Sequence, residues 1–127
     1  MIAKTYADTP THEIPGIRHM TLAGPSDGLR ALEVWHQRVA PGAATPWHRH
    51  DCEEVVVVLQ GTGCCEFEGR RVSFGPQSTL IVPANVVHQI TNTGDTEAVL
   101  IAALSMAPVE VRTPDGERIP LPWSAPA

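Results

Sequence analysis

The chain has 127 residues, of which 43% are hydrophobic, and it carries a formal net charge of −5. This length suits one domain with a real core and is too short for two ordinary domains. The acidic balance argues against nucleic acid and against an anionic membrane as main partners, because both require basic patches.

No part of the chain has the pattern of an export signal or a membrane span. Residues 1–10 lack the apolar segment of a secretory signal, and the longest apolar run, Ala98–Leu104, is far too short to cross a bilayer. Cys52, Cys64 and Cys65 form no disulfide framework, so we expect them to be reduced. These features predict a cytoplasmic protein.

Proline, glycine and other turn-forming residues punctuate residues 1–28. We expect an extended N-terminal arm here, with one short strand over residues 17–22. His12 and His19 lie in this arm. Neither has a neighbour at ligand spacing, so we expect both at the surface or at caps.

Residues 29–40 predict a strand, because valine and tryptophan favour strands and a Pro-Gly pair follows. The alternation alone leaves open which of Trp35, His36 and Arg38 line a cavity. We expect Trp35 to pack inside the protein, and His36 and Arg38 to be exposed.

Two histidines and a glutamate precede the most apolar strand of the sequence. His48 and His50 are one residue apart, and Glu54 follows four residues later. Because side chains in a strand alternate with a period of two, all three share one face if no bulge intervenes. The run at 55–59 (VVVVL) has strong strand preference. A solvated or core-packed pair of histidines is the alternative interpretation.

His88 is a fourth candidate ligand, just before another extended-looking segment. Glycines at 42 and 61 bracket the first three candidates. Together the four residues predict a metal site, provided that the fold brings them together.

The remaining pattern is one of short strands separated by Gly, Pro, Asn and Asp, and it indicates an antiparallel sandwich or small barrel. Glu68-Gly69 predicts a hairpin turn. The expected strands occupy residues 64–68, 70–74, 79–82, 86–91 and 97–105. Prolines exclude a helix in the tail from residue 108, where we expect Trp123 to pack on the body or on a second subunit.

These residues resemble the two sequence motifs of the cupin superfamily. The first motif is Gly42-x5-His48-x-His50-x3-Glu54-x6-Gly61, and the second is Pro83-x-Asn85-x2-His88-x3-Asn92. The short spacing between them is similar to that of small single-domain cupins. Two positions depart from the pattern: Gln77 replaces a glycine that usually opens the second motif, and Asn85 replaces the glycine of Pro-x-Gly. Asparagine tolerates the left-handed region, so the turn can survive.

The resemblance implies an all-β fold, a jelly roll (double-stranded β-helix) around a central pocket. The single domain would span residues 1–127, with the barrel over about 30–105 and a proline-rich tail over 108–127. It also implies a homodimer, and one divalent transition metal ion per chain. The metal ligands carried over from the motifs are His48, His50, Glu54 and His88.

Three imidazoles and a carboxylate suit Fe, Mn, Ni, Co, Zn or Cu, and on an octahedral ion they leave two positions open. Val56, Val58 and Ile90 continue the inward parity and predict an apolar pocket wall. Cys52 shares that parity, but we expect it to be a small packed residue in a turn; Glu53 and Trp47 are expected outside the site.

No general acid or base is evident, so catalytic residues stay unassigned. Three functions remain open. The first is a dioxygenase-like oxidoreductase acting on a small oxygenated substrate. The second is a sugar or sugar-acid isomerase, epimerase or lyase that uses the metal as Lewis acid; an inward His36 or Arg38 would favour it. The third is a non-catalytic binder of a small molecule.

Overall fold

A computed structural model describes residues 1–124 of the chain. Within them the protein forms nine strands and two short 3-10 helices, Tyr6–Asp8 and Pro25–Asp27. The strands in chain order are β1 (Thr11–Ile14), β2 (Ile17–Ala23), β3 (Glu33–Val39), β4 (Glu54–Gln60), β5 (Gly63–Phe67), β6 (Arg70–Phe74), β7 (Thr79–Val82), β8 (His88–Asn92) and β9 (Ala98–Leu104). The all-β architecture predicted from the sequence is confirmed.

Two antiparallel sheets enclose a common interior. The larger has the order β1-β2-β3-β9-β4-β7, and the smaller has the order β6-β5-β8. Val56 and Leu100 of the large sheet belong to the same buried core as Cys65 and Ile90 of the small sheet. The interior between the sheets is therefore where inward side chains from both can meet.

The N-terminal segment contributes two strands to the large sheet. The strand predicted over residues 17–22 is β2, which pairs with β3, and β1 pairs with β2 as a hairpin. Ile17 is buried in the core, which gives this segment an apolar anchor. The predicted hairpin at Glu68-Gly69 is also present, with positive φ of 49° and 72° at its two turn residues.

None of the helices in residues 1–124 has the length and apolar character needed to cross a membrane.

Candidate metal centre and ligand cavity

His48 and His88 face each other across an antiparallel bridge. Each donates its backbone N–H to the other's carbonyl, at 3.1 Å from His48 and 2.9 Å from His88. Their ring centroids are 4.3 Å apart. Directly opposed residues in such a pair bring their side chains together. Backbone pairing therefore joins the two cupin-like motifs at their histidines.

His50 and Glu54 complete the cluster from the other side of a bend. The chain bends at Asp51 and Cys52, so the stretch is not one continuous strand, and Glu54 opens β4. The carboxylate Oε1 of Glu54 nevertheless lies 3.3 Å from Nε2 of His88 and 3.8 Å from Nε2 of His50. One ligand atom from each of the three histidines lies within 4.8 Å of the other two.

The hydrogen bonds of the three rings leave their Nε2 atoms available. Each Nδ1 contacts a backbone carbonyl, at 2.7 Å in His48, 2.9 Å in His50 and 2.8 Å in His88. Because a carbonyl only accepts, Nδ1 carries the proton and Nε2 keeps its lone pair.

Three atoms of the cluster are buried without a hydrogen-bond partner among the described residues: His50 Nε2, Glu54 Oε1 and His88 Nε2. Buried polar atoms are almost always paired. Three converging lone pairs on imidazole and carboxylate fit a divalent metal, and the orienting carbonyls are typical of metal-binding histidines. The three predicted histidine ligands thus lie together, with the Glu54 carboxylate close to His50 and His88, and the binding of a metal by these four residues stays a prediction.

The pKa shifts in the cluster favour a neutral His48 imidazole beside an ionised Glu54 carboxylate. Burial lowers the pKa of His48 to about 4, and the neighbouring His88 and His50 add to this. Burial opposes ionisation of Glu54, but the adjacent imidazoles of His88 and His50 outweigh it and lower its pKa. Burial alone would lower the pKa of His88; the Glu54 carboxylate and the Val86 carbonyl raise it instead. A bound cation requires these same forms, a neutral imidazole and an ionised carboxylate.

A mostly apolar cavity of about 50 Å³ adjoins the cluster and reaches His48 and Glu54. That volume holds only a few water molecules. Its polar lining also includes Gln37 and Thr45. The predicted inward residues Val56 and Ile90 line it, and Val58 is buried as predicted. Further lining residues are Ile14, Ile17, Trp35, Pro46, Leu100, Ala102, Val111, Leu121 and Trp123.

Strand β3 directs Trp35 and Gln37 into this cavity, and it directs His36 and Arg38 to the opposite face. Trp35 is buried as expected. Arg38, also expected to be exposed, is half-buried: 43% of its side chain is accessible, and it pairs with Glu97 at 2.8 Å. The expectation that His36 is exposed is wrong: only 4% of it is accessible, and its ring packs edge-on against Tyr6. The turn at Tyr6–Asp8 that covers it leaves no periodic signal in the sequence.

The prediction that His19 lies at the surface or at a cap is also wrong. His19 is completely buried, in contact with Trp35 and Trp123. Its Nδ1 accepts a hydrogen bond from Gln37 Nε2 at 3.0 Å, and its Nε2 donates to Thr21 Oγ1 at 2.8 Å. His12, its cross-strand partner, is half-buried.

The C-terminal tail forms one wall of the cavity through Leu121 and Trp123. The sequence predicted that Trp123 packs on the body or on a second subunit, and it packs on the body. Sequence reasoning missed its place in the cavity, because a proline-rich tail has no periodicity. Gln37 was missed as well, although its parity with Trp35 could have indicated it.

The other predictions near the site agree with the structure. Cys52 is a buried core residue outside the cavity lining, and all three cysteines are free thiols. Trp47 is 41% exposed and Glu53 is exposed. Asn85 has a φ of 66°, and Gln77 a φ of 65°, so both motif departures adopt the left-handed conformation that glycine usually supplies.

Two sheets curled around a buried histidine and carboxylate cluster define a small cupin. The fold is shared with an RmlC-like cupin from Shewanella frigidimarina, with a TM-score of 0.72 at 21% identity over 83% of this chain and 90% of that one. The auxin binding protein family model matches residues 1–122, and the chain belongs to this family.

Two plant relatives show the same kinship. Auxin-binding protein 1 of Arabidopsis thaliana is 37% identical over 122 residues, which cover 87% of this chain and 62% of that protein. Auxin-binding protein T85 of Nicotiana tabacum is 41% identical over 108 residues, covering 76% of this chain and 58% of that protein. The chain thus spans about three fifths of the length of these relatives.

Proposed function

We propose that this protein is a non-catalytic binder of a small aromatic carboxylic acid, with a divalent metal held by His48, His50, Glu54 and His88. The observation that carries this proposal is the set of unpaired buried ligand atoms beside an aromatic cavity. When bound, the ion supplies positive charge and Lewis acidity at the cavity floor.

The cavity's composition matches the two ends of such a ligand. Trp35, Trp123 and the aliphatic wall offer apolar contact to a ring. Gln37 and Thr45 supply the polar groups that fix orientation in an otherwise apolar site. Both relatives are named for auxin binding, and auxins are small aromatic acids.

Oxidation of a small oxygenated substrate is the second candidate. It is favoured by the apolar cavity wall, because the titratable residues in this lining, His48 and Glu54, both belong to the metal cluster. Lewis-acid isomerisation has less support, because His36 and Arg38 lie on the other face of β3 and not in the cavity lining.

Calorimetric titration tests the binding proposal. Protein loaded with Zn(II) is titrated with indole-3-acetic acid and with the neutral indole-3-ethanol, and the metal-free protein serves as control. Because a charge-assisted contact contributes about 1.5–3 kcal/mol, we expect the acid to bind at least roughly tenfold more tightly than the alcohol, and only with metal. Equal binding of acid and alcohol, or of the acid without metal, would overturn the proposal. Oxygen uptake with the Fe(II)-loaded protein and small diols, diketones or catechols would support the second candidate.

We further propose a homodimer formed through the outer face of the large sheet. This face exposes Val57, Leu59 and Ile81, by 38%, 52% and 72%. A solvated sheet face normally alternates to polar residues, so a contiguous apolar face suggests a partner, and a second copy offers the same surface in return. The cytoplasmic location expected from the reduced cysteines remains a proposal too.

A further inference from the structure

One histidine of the cluster is oriented by a distant segment of the chain. His48 and His88 each donate Nδ1–H to a carbonyl two residues earlier, that of Pro46 and that of Val86. His50 donates instead to the carbonyl of Glu110, sixty residues away. The orientation of His50 therefore depends on how the C-terminal segment docks.

We propose that residues 109–112, outside both sheets, are part of the metal centre, and that Arg112 is the positioning residue that holds them there. This inference rests on the metal site proposed above. It concerns a segment that the cupin-like motifs do not include.

Backbone pairing fixes this segment against the loop that carries the histidines. Arg49, between His48 and His50, and Arg112 exchange both backbone hydrogen bonds, each at 2.9 Å. The Glu110 carbonyl lies two residues from this pair, and so within reach of the His50 ring. A shift of the Arg49–Arg112 bridge would move the His50 imidazole and the Glu110 carbonyl relative to each other.

The guanidinium of Arg112 joins three separate acceptors. Its Nε donates to Asp51 Oδ2 at 2.9 Å, its Nη1 donates to the Gly116 carbonyl at 3.1 Å, and its Nη2 donates to the Glu110 carboxylate. The planar fork of arginine can satisfy such a set in one orientation, whereas a lysine ammonium cannot. With 27% of the side chain accessible, these contacts are partly shielded from water.

Glu33 anchors the other end of the segment. This carboxylate is buried; its Oε1 accepts the Val109 N–H at 3.0 Å and its Oε2 accepts the indole N–H of Trp35 at 2.7 Å. Trp35 in turn packs edge-on against His50, with ring centroids 6.0 Å apart. The segment is thus held at both ends, by Glu33 at Val109 and by the contacts of Arg112 with Arg49 and Asp51 in the loop that carries the histidines.

The test compares Arg112→Ala with Arg18→Ala, a matched control that removes an exposed arginine paired with Glu13 at 3.1 Å on the β1–β2 hairpin. Co(II) affinity is measured by chelator competition, the visible spectrum is recorded at saturating Co(II), and unfolding temperature is measured without metal. We expect Arg112→Ala to weaken Co(II) binding roughly tenfold, as loss of an orienting partner does, and to change the saturated spectrum. Arg18→Ala should leave both unchanged.

Arg112→Lys and Asp51→Asn provide the same readouts if Arg112→Ala does not fold. We expect each to give an intermediate loss of affinity, because Arg112→Lys keeps the charge without the planar fork and Asp51→Asn weakens one of the three contacts. Wild-type affinity and spectrum in the Arg112 variants, even with a lower unfolding temperature, would overturn this inference alone. A wild-type protein that takes up no Co(II) would overturn the proposed metal site, and this inference with it.

Discussion

The imidazole of His19 lies flat on the indole of Trp123, with ring centroids 3.6 Å apart and planes inclined by 7°. This stack joins a strand of the large sheet to the C-terminal tail. Burial, with smaller contributions from the nearby His12 and His36, lowers the pKa of His19 to about 3. His19, which packs against the tail, is therefore neutral across the physiological pH range.

The first prediction concerns acid stability. In the unfolded chain His19 regains a pKa near 6.5. Below pH 6.5 the unfolded state binds a proton at His19, whereas the folded state does not bind it until about pH 3. The free energy of unfolding therefore falls as the pH drops from 6.5 to about 3. In His19→Gln the free energy of unfolding should depend less steeply on pH, because about one proton fewer is taken up on unfolding. Urea midpoints of the metal-free protein from pH 7.5 to pH 4 measure it. Parallel curves for the variant and the wild type would contradict the assignment.

The second prediction concerns entry into the cavity. Trp123 separates the cavity of about 50 Å³ from an outer groove of about 280 Å³ lined by residues such as Lys4, His12 and Glu33. An aromatic acid is larger than this inner space, so we expect the indole to shift before the acid binds.

Trp123→Ala should therefore speed association of indole-3-acetic acid and weaken its affinity roughly tenfold through the lost aromatic contact. Stopped-flow and calorimetric titrations measure the two effects, and Trp47→Ala, which removes an exposed indole, is the control. Weaker affinity at an unchanged association rate would mean that Trp123 only contacts the ligand.

The third prediction concerns the metal ligands. Removing the His50 imidazole leaves three donors and an unfilled space beside Glu54, so His50→Ala should lose stoichiometric metal after purification. Elemental analysis measures this, with His12→Ala as the control because His12 lies outside the cluster. A His50→Ala protein that still carries one equivalent of metal would show that the ligand assignment is wrong.

The fourth prediction concerns the turn at Asn85. Its φ is 66°, its N–H donates to the His50 carbonyl at 2.7 Å, and its side-chain oxygen accepts from Arg49 Nη1 at 2.7 Å. Asn85→Ala should be less stable than Asn85→Gly by about 1 kcal/mol, since only glycine relieves the left-handed strain while both lose the side-chain bond. Chemical denaturation ranks the two. Equal stability would mean that the turn relaxes in the alanine variant.

The fifth prediction concerns assembly. Ile81→Lys places a charge at the most exposed residue of the apolar face proposed for dimerisation and should yield a monomer by sedimentation velocity. Val72→Lys makes the same change at a 43% exposed valine of the small sheet and should leave the assembly unchanged. A dimer that persists in Ile81→Lys would locate the interface elsewhere.

The sequence alone predicted every strand except β1, and it predicted the identity of the clustered side chains. Glycine, proline and asparagine divide the chain into short apolar runs, and the period of two brings His48 and His50 to one face because alternation is a property of any strand. The motif spacing then predicted which of the six histidines meet. Those features are local, so they can be recognised without the fold.

Tertiary structure alone decided what surrounds the cluster. Burial of His36 and His19 depends on segments that cover them, a 3-10 turn in one case and a tail in the other, and neither follows from their neighbours in sequence. The Glu110 carbonyl reaches His50 across sixty residues because the tail folds back over the metal loop. A backbone carbonyl carries no signature of residue type, so only the path of the chain identifies this partner.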